Sequence, residues 1–409
     1  MESDKNILRS LAAEIAEIAA LPIQKEKIRL WKALNGKKPI RPMVAIDQVC
    51  WNEMNVDDEL TLQCVTKEAR QYEEQFRQIL YQWHHFPVDR VVEPVLRVPK
   101  AVENTGFGLE VKEQIAISDE TSSVVGHAYK NQFERDEDLG KIKMPVITHD
   151  TAETERRLDF AHTVFDGLLE VKPQGVDPYL SVWDPISTWM GVEELLYALV
   201  DRPDFMLALA NRMVEGYMLM LDQLEEQGLL IDHQPLIHCT GAYTDELPAP
   251  GFNPEKPRTK DLWMFGLAQV FATVSPEMFE KFEIEPNMPL FSRFGLVYYG
   301  CCDPLDRKMK QVRRIPHLRK VSMSPWVNEE LGASEIRGDY VFSRKPNPAL
   351  LAAPQFDEQA VRDHLWHSVD VCRRYGCPLE LILKDISTVK YEPQRLWRWA
   401  EIAMDVVQA

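Results

Sequence analysis

From Phe294 to the C-terminus the chain repeats one pattern: a segment of strand length, a polar cap rich in proline or charge, then residues at helical spacing. Phe294 to Tyr299 runs into Gly300-Cys301-Cys302-Asp303-Pro304. Leu318 to Met323 runs into Ser324-Pro325-Trp326, and Tyr340 to Ser343 into Arg344-Lys345-Pro346-Asn347-Pro348. Leu379 to Leu383 ends in Lys384-Asp385-Ile386-Ser387-Thr388. Strands that alternate with helices need crossover connections, so they build a parallel sheet. The carboxyl ends of such strands open into the ligand crevice, and the caps place thiols, carboxylates and amines there.

The preceding chain reads as a scaffold that brings further polar strand ends to the same mouth. Residues 1–38 form a helical extension: Leu8 to Leu34 carries apolar positions at helical spacing, broken by Pro22 and ended by Gly36. The body is expected over 39–409. Met43 to Val49 is the first strand, with Asp47 at its end, followed by a helix from Leu60 to His84 and a second strand from Val88 to Pro94, ending in Glu93. Between Thr105 and Lys130 the period shifts toward two, which indicates a β-ribbon within an insertion at about 95–150. Phe165 to Lys172 and Leu180 to Asp184 are expected as strands, the second carrying Trp183, and two helices fill Gly191 to Gln227. Leu236 to Thr240 is a short strand bearing His238, followed by a polar loop from Gly241 to Pro257 of the length that usually serves function. Helical spacing is read through Leu262 to Ala272 and again after Ser275-Pro276-Glu277. One more strand is expected than an eight-stranded barrel needs, so one lies outside it.

A formal charge of −17 would repel nucleic acid and anionic membranes, so neither is an expected partner. The N-terminus has no basic region followed by an apolar core, and a cytoplasmic location is the default expectation. Seven cysteines are an odd number at low density, which suits reduced thiols rather than a disulfide framework.

Tyr299-Gly300-Cys301-Cys302-Asp303-Pro304-Leu305, Val321-Ser322-Met323-Ser324-Pro325-Trp326, Ser343-Arg344-Lys345-Pro346-Asn347-Pro348 and Lys384-Asp385-Ile386-Ser387-Thr388 together resemble the uroporphyrinogen decarboxylase superfamily, specifically its corrinoid-dependent methyltransferase-like branch. The resemblance runs from the first strand to the C-terminus. It implies an α/β fold, a (β/α)8 TIM barrel with its active site at the C-terminal mouth, here with N-terminal helices and a β-ribbon insertion. Decarboxylases of this superfamily carry an arginine-rich segment after the first strand; this chain has Asp47-Gln48-Val49-Cys50-Trp51-Asn52 there, which argues against decarboxylation of a polycarboxylated tetrapyrrole. Thiol-methylating members bind zinc through His-x-Cys and a distant Cys. Here His238 is followed by Cys239 and Thr240, so that ligand set is not copied directly. Relatives closer to this chain have Glu after the Cys-Cys pair, where Asp303 stands.

The resemblance implies an O-demethylase-type methyltransferase that moves a methyl group from a small methylated compound, preferably an aromatic methyl ether, to the Co(I) of a corrinoid. The sequence has no Asp-x-His-x-x-Gly segment, so the cobalamin is expected on a partner corrinoid protein. The departing heteroatom needs a Lewis acid or a proton donor. Zinc held by His238, Cys301 and Cys302 would meet the first need, with Asp303 as a further ligand or catalytic carboxylate. Lys384 and Asp385 would meet the second. Each has a blander reading: a strand-end histidine can be a hydrogen-bonded structural residue, and adjacent cysteines can pack as small apolar groups. Trp183 and Trp326 are expected to face the substrate. Asp47 is a rim carboxylate that could equally cap a turn, and Lys345 with Arg344 is either an anion site or an ion pair. The alternatives are transfer from a methylcorrinoid protein to tetrahydrofolate or a thiol, and a barrel that binds a corrinoid or tetrapyrrole without chemistry. A homodimer is compatible with all of them.

Overall fold

A computed structural model of the chain describes residues 2–117, 120 and 125–409. Two helices open it, α1 (Glu2–Ala20) and α2 (Pro22–Asn35). Pro22 occupies the first turn of α2, where its missing N–H costs nothing. Leu8, Ala12, Ile15 and Ile18 of α1 pack with Phe76 and Leu80 of the helix Lys67–His85 and with Phe165, forming a satellite core.

Eight strands lie in parallel pairs: β1 (Met43–Ile46), β2 (Val95–Pro99), β3 (Glu170–Gln174), β4 (Trp263–Gly266), β5 (Leu296–Tyr299), β6 (Leu318–Met323), β7 (Val341–Arg344) and β8 (Leu379–Leu383). Six of them form one sheet in the order β1-β8-β7-β6-β5-β4, and β2 pairs with β3 in a second. The last four strands are buried on both faces, and the polar residues they carry, Arg319, Lys320, Ser322, Ser343, Arg344 and Glu380, are buried with them. Between the two sheets the links are single. Asp89 N donates to Val44 O (3.0 Å), and Val176 bridges Leu230 in parallel. The side-chain amide of Gln234 pairs with both backbone groups of Trp263, receiving from its N–H (2.8 Å) and donating to its C=O (3.3 Å). After β2 the insertion contains antiparallel pairs, Ala101–Asn104 with Ile147–Asp150 and Glu113–Ala116 with Gly126–Tyr129. Among the described residues no helix is long and apolar enough to cross a membrane.

Several expected elements differ. Val88 to Pro94 is not a strand, because side chains replace its ladder: Val92 N donates to Gln24 Oε1, and Asp89 Oδ2 takes Val44 N. The helix expected from Leu60 begins only at Lys67, since the N–H groups of Gln63 and Cys64 are taken by Glu73. Phe165 ends a helix, and the strand expected there starts at Glu170. Leu180 to Asp184 leads into the helix Trp183–Met190. Leu262 to Ala272 is β4 and a short 3-10 turn; a fully buried strand and a buried helical turn share the same apolar signature. Leu236 to Thr240 is not one strand but an antiparallel hairpin, Leu236–Ile237 against Thr240–Gly241.

That hairpin is anchored within the fold by a buried charge pair. Lys320 Nζ on β6 lies 2.7 Å from Glu380 Oε2 on β8, both fully buried, and Thr240 Oγ1 donates to the same carboxylate oxygen at 2.8 Å. Lys320 also donates to Gly241 O at 3.1 Å. Removing one partner strands the other charge, so Lys320→Met is expected to destabilise the fold by about 3–5 kcal/mol. A urea midpoint shifted by the equivalent of less than about 1 kcal/mol would show that water reaches this pair.

Candidate active site at the strand ends

Three chain segments deliver the reactive groups. After β5 the chain turns at Gly300, whose φ of +93° and close approach to Leu305 (2.5 Å from an added Cβ) leave room only for glycine. The next peptide is clamped: Ser322 Oγ donates to Cys301 O at 2.7 Å, and Cys301 N donates to Asp303 Oδ1 at 3.1 Å. After β8 come Lys384 and then Asp385, whose N–H donates to Gln48 Oε1 beyond β1. The third segment is the hairpin tip. His238 and Cys239 both have positive φ (33° and 62°), the requirement of a tight two-residue hairpin turn. The His238 ring stacks on Phe265 of β4 with centroids 3.9 Å apart and planes 11° from parallel.

These groups meet. Cys301 Sγ lies 3.4 Å from His238 Nε2 and 3.6 Å from Cys302 Sγ, and Lys384 Nζ donates to Cys301 Sγ at 2.9 Å. Lys384 Nζ is also 3.3 Å from His238 Nε2 and 3.2 Å from Asp385 Oδ2, which Cys302 Sγ contacts at 3.4 Å. The electrostatics favour a thiolate on Cys301. A hydrogen bond from Cys302, the contact with His238 and the Lys384 charge outweigh burial and hold its pKa far below the usual thiol value. Cys302 is pushed the other way by that same hydrogen bond and by burial. Burial works against the Lys384 charge, but the Cys301 thiolate outweighs it and raises the amine above its ordinary range.

No protein family and no curated protein matches this sequence. The fold is similar to that of a methyltransferase from Methanosarcina mazei. The likeness covers 93% of this chain and 97% of that chain, with a TM-score of 0.50 and 11% sequence identity, and it concerns the fold alone.

The remaining expected site residues are scattered. Asp303 is fully buried beneath the thiol loop, where burial raises its pKa; Oδ2 has no hydrogen-bond partner among the described residues. Lys345 lies inside the sheet, bonded to Ser343 Oγ (2.8 Å) and the Tyr298 hydroxyl, and burial pushes its amine down to about 8. Arg344 is a structural ion pair with Glu329 (2.6 Å). The tryptophans do not assemble a rim. Trp183 is buried in the first turn of a helix against Phe271, not at a strand end, and Trp326 is 72% exposed. The aromatic surface beside His238 is Phe265 and Tyr298 instead. Asp47 ends β1, one oxygen receiving the N–H of Gln48 (2.6 Å). Sequence reasoning missed Tyr179 and Asp184, joined at 3.0 Å, with the Tyr179 ring tilted against Phe265. Their signal was weak: two polar groups bracketing an apolar segment mistaken for a strand.

For zinc, the donor chemistry suits and two spacings agree with the roughly 3.5–3.8 Å edges of a tetrahedral S/N site. Among the described residues no group of three such donors is closed around one point. The Lys384 ammonium lies within contact of both Cys301 and His238.

In metal-free protein, the ultraviolet absorbance of the Cys301 thiolate, taken against Cys301→Ser, is expected to persist well below the ordinary thiol range. Lys384→Met should move that titration upward by about one pH unit or more. A transition near the usual thiol value in both proteins would contradict this electrostatic account.

Proposed function

We propose that this chain is a methyltransferase that passes a methyl group from a small methylated compound to the Co(I) of a corrinoid carried by a partner protein, with an aromatic methyl ether as the preferred donor. The observation that carries the reading is the convergence of Cys301, His238 and Lys384 at the carboxyl ends of parallel strands. A fold shared with a protein described as a methyltransferase supports it, as does the motif resemblance to the corrinoid-dependent branch of the uroporphyrinogen decarboxylase superfamily. The same reading takes the two sheets as one (β/α)8 barrel wall, continued by the links at Asp89, Val176 and Gln234.

Demethylation of an ether is a displacement at carbon, and its barrier falls when the departing oxygen is relieved of negative charge. Lys384 is suited to supply that relief. Its ammonium is held between the Cys301 sulfur and Asp385 Oδ2, and it can place a positive charge or a proton at the leaving oxygen. Phe265 and Tyr298, with rings tilted at 53° to one another, are the aromatic surface beside His238, which Lys384 touches. Tyr179, held by Asp184, is a second hydroxyl close to the same surface. His238, Cys301 and Cys302 would hold a zinc ion once Lys384 withdrew, and zinc when bound supplies a Lewis acid for the departing oxygen. The convergence of His238 and the cysteines favours chemistry over passive tetrapyrrole binding.

Purified protein mixed with methoxyarenes and a Co(I) corrinoid is expected to discharge the Co(I) absorbance as the methylated corrinoid forms. Cys301→Ala and His238→Ala should each slow this by about a hundredfold or more. Freshly isolated wild type is expected to hold about one zinc per chain, lost in both variants while the fold persists. A folded wild type without metal would remove the zinc arm and leave Lys384 as the activating group. No discharge with any methylated donor would sink the proposal.

A further inference from the structure

The segment between the helix Lys67–His85 and β2 places a guanidinium on the wall of a cavity of about 250 Å³. Asp47 at the end of β1, Cys239 at the hairpin tip, Glu93, Arg97 and Tyr243 share that wall with Arg90. Apart from Asp47, the other charges are matched. Arg97 pairs with Asp232 at 3.2 Å, and Glu93 Oε1 meets His233 Nε2 at 2.8 Å and receives the Tyr243 hydroxyl at 3.1 Å. Asp89, the neighbour of Arg90, is taken by Arg41 at 2.5 Å.

Arg90 is different. Its carbonyl receives Lys27 Nζ at 3.0 Å, but its guanidinium has no hydrogen bond or ion pair among the described residues. Asp47 is close enough to be felt electrostatically and too far for an ion pair. The side chain keeps some accessible surface, yet its surroundings are dense, and burial lowers its pKa from the ordinary arginine value. The accessible part therefore faces the cavity. An unmatched charge in such a place costs several kcal/mol, and the cost is offset when a ligand supplies the counter-charge.

We infer that Arg90 holds a carboxylate of the methyl donor, so that the substrate is a small singly charged acid carrying the methyl group and not a neutral methoxyarene. The planar fork of arginine matches a carboxylate through two parallel hydrogen bonds. Asp47 and Glu93 in the same wall would repel a dianion such as a phosphate ester, which favours a single negative charge. Cys239 lines this cavity and its sequence neighbour His238 touches Cys301, so the cavity ends one residue from the reactive groups. The cavity lies below the range typical of drug-sized ligands, roughly 300–1,000 Å³, and suits a single ring.

This inference rests on the methyl-transfer reading for the donor's identity, but binding alone tests it. Calorimetric titration of the full chain, without corrinoid, would compare para-methoxybenzoate with the uncharged para-methoxybenzamide. The acid is expected to bind roughly tenfold or more tightly than the amide. Arg90→Gln should abolish that preference, and Arg90→Lys should keep part of it, since the charge remains and the fork is lost. Because the Arg90 guanidinium makes no hydrogen bond or ion pair among the described residues, Arg90→Gln is expected to leave the thermal midpoint unchanged or raise it. Should that variant fail to fold, Arg90→Lys decides. Equal affinity for acid and amide, no binding of the acid at millimolar concentration, or an unchanged preference in either variant would overturn the inference. A chain that binds the acid but transfers no methyl group would instead overturn the proposed activity alone.

Discussion

The contact between the Lys384 ammonium and the Cys301 sulfur, 2.9 Å long, is what the arrangement of the strand ends serves. Neither group would be stable there alone: a thiolate in a covered site needs a positive partner, and a covered ammonium needs a negative one. Each is at the end of a strand buried on both faces, and β5 and β8 are separated in the sheet by β6 and β7. Their meeting therefore depends on the sheet's curvature and on sharp exits from the ladder. Gly300 supplies one exit and the left-handed Asp385 (φ 56°) the other.

Beneath this pair the fold spends a second buried charge pair on positioning. Lys320 and Glu380 hold Thr240 and Gly241, and so fix the foot of the hairpin whose tip carries His238. Phe265 fixes the ring from β4. A histidine placed by a hairpin, and not by a strand of the parallel sheets, explains how His238 reaches Cys301 although the His-x-Cys spacing of thiol-methylating enzymes is absent. The spacing rule of an extended strand does not apply to a two-residue turn with both φ angles positive.

The caps of the last third were legible because each follows a fully buried strand bounded by glycine or proline, and those punctuations are local properties. Lys384, Asp385, Cys301 and Cys302 came from that reading and lie within hydrogen-bonding distance of one another. Legibility failed where an apolar run could serve two periods. Leu262 to Ala272 has the composition of either element, and Leu180 to Asp184 is an irregular lead-in to the helix Trp183–Met190 whose apolar residues face the core. Trp183 was misplaced by the same error. Arg90 was invisible for another reason: whether a guanidinium has a partner is decided by groups from separate parts of the chain, here Asp47 and Tyr243.

The claim that Cys301 and Lys384 act as one unit is tested most directly by a double-mutant cycle on the rate of Co(I) methylation. Cys301→Ala, Lys384→Met and the double variant would be compared with wild type under one set of conditions. If the two side chains form a single activating group, the double variant is expected to be about as slow as the slower single variant. Losses that multiply, so that the double variant falls by the product of the two single effects, would mean that the residues act independently and that their contact does not organise the chemistry.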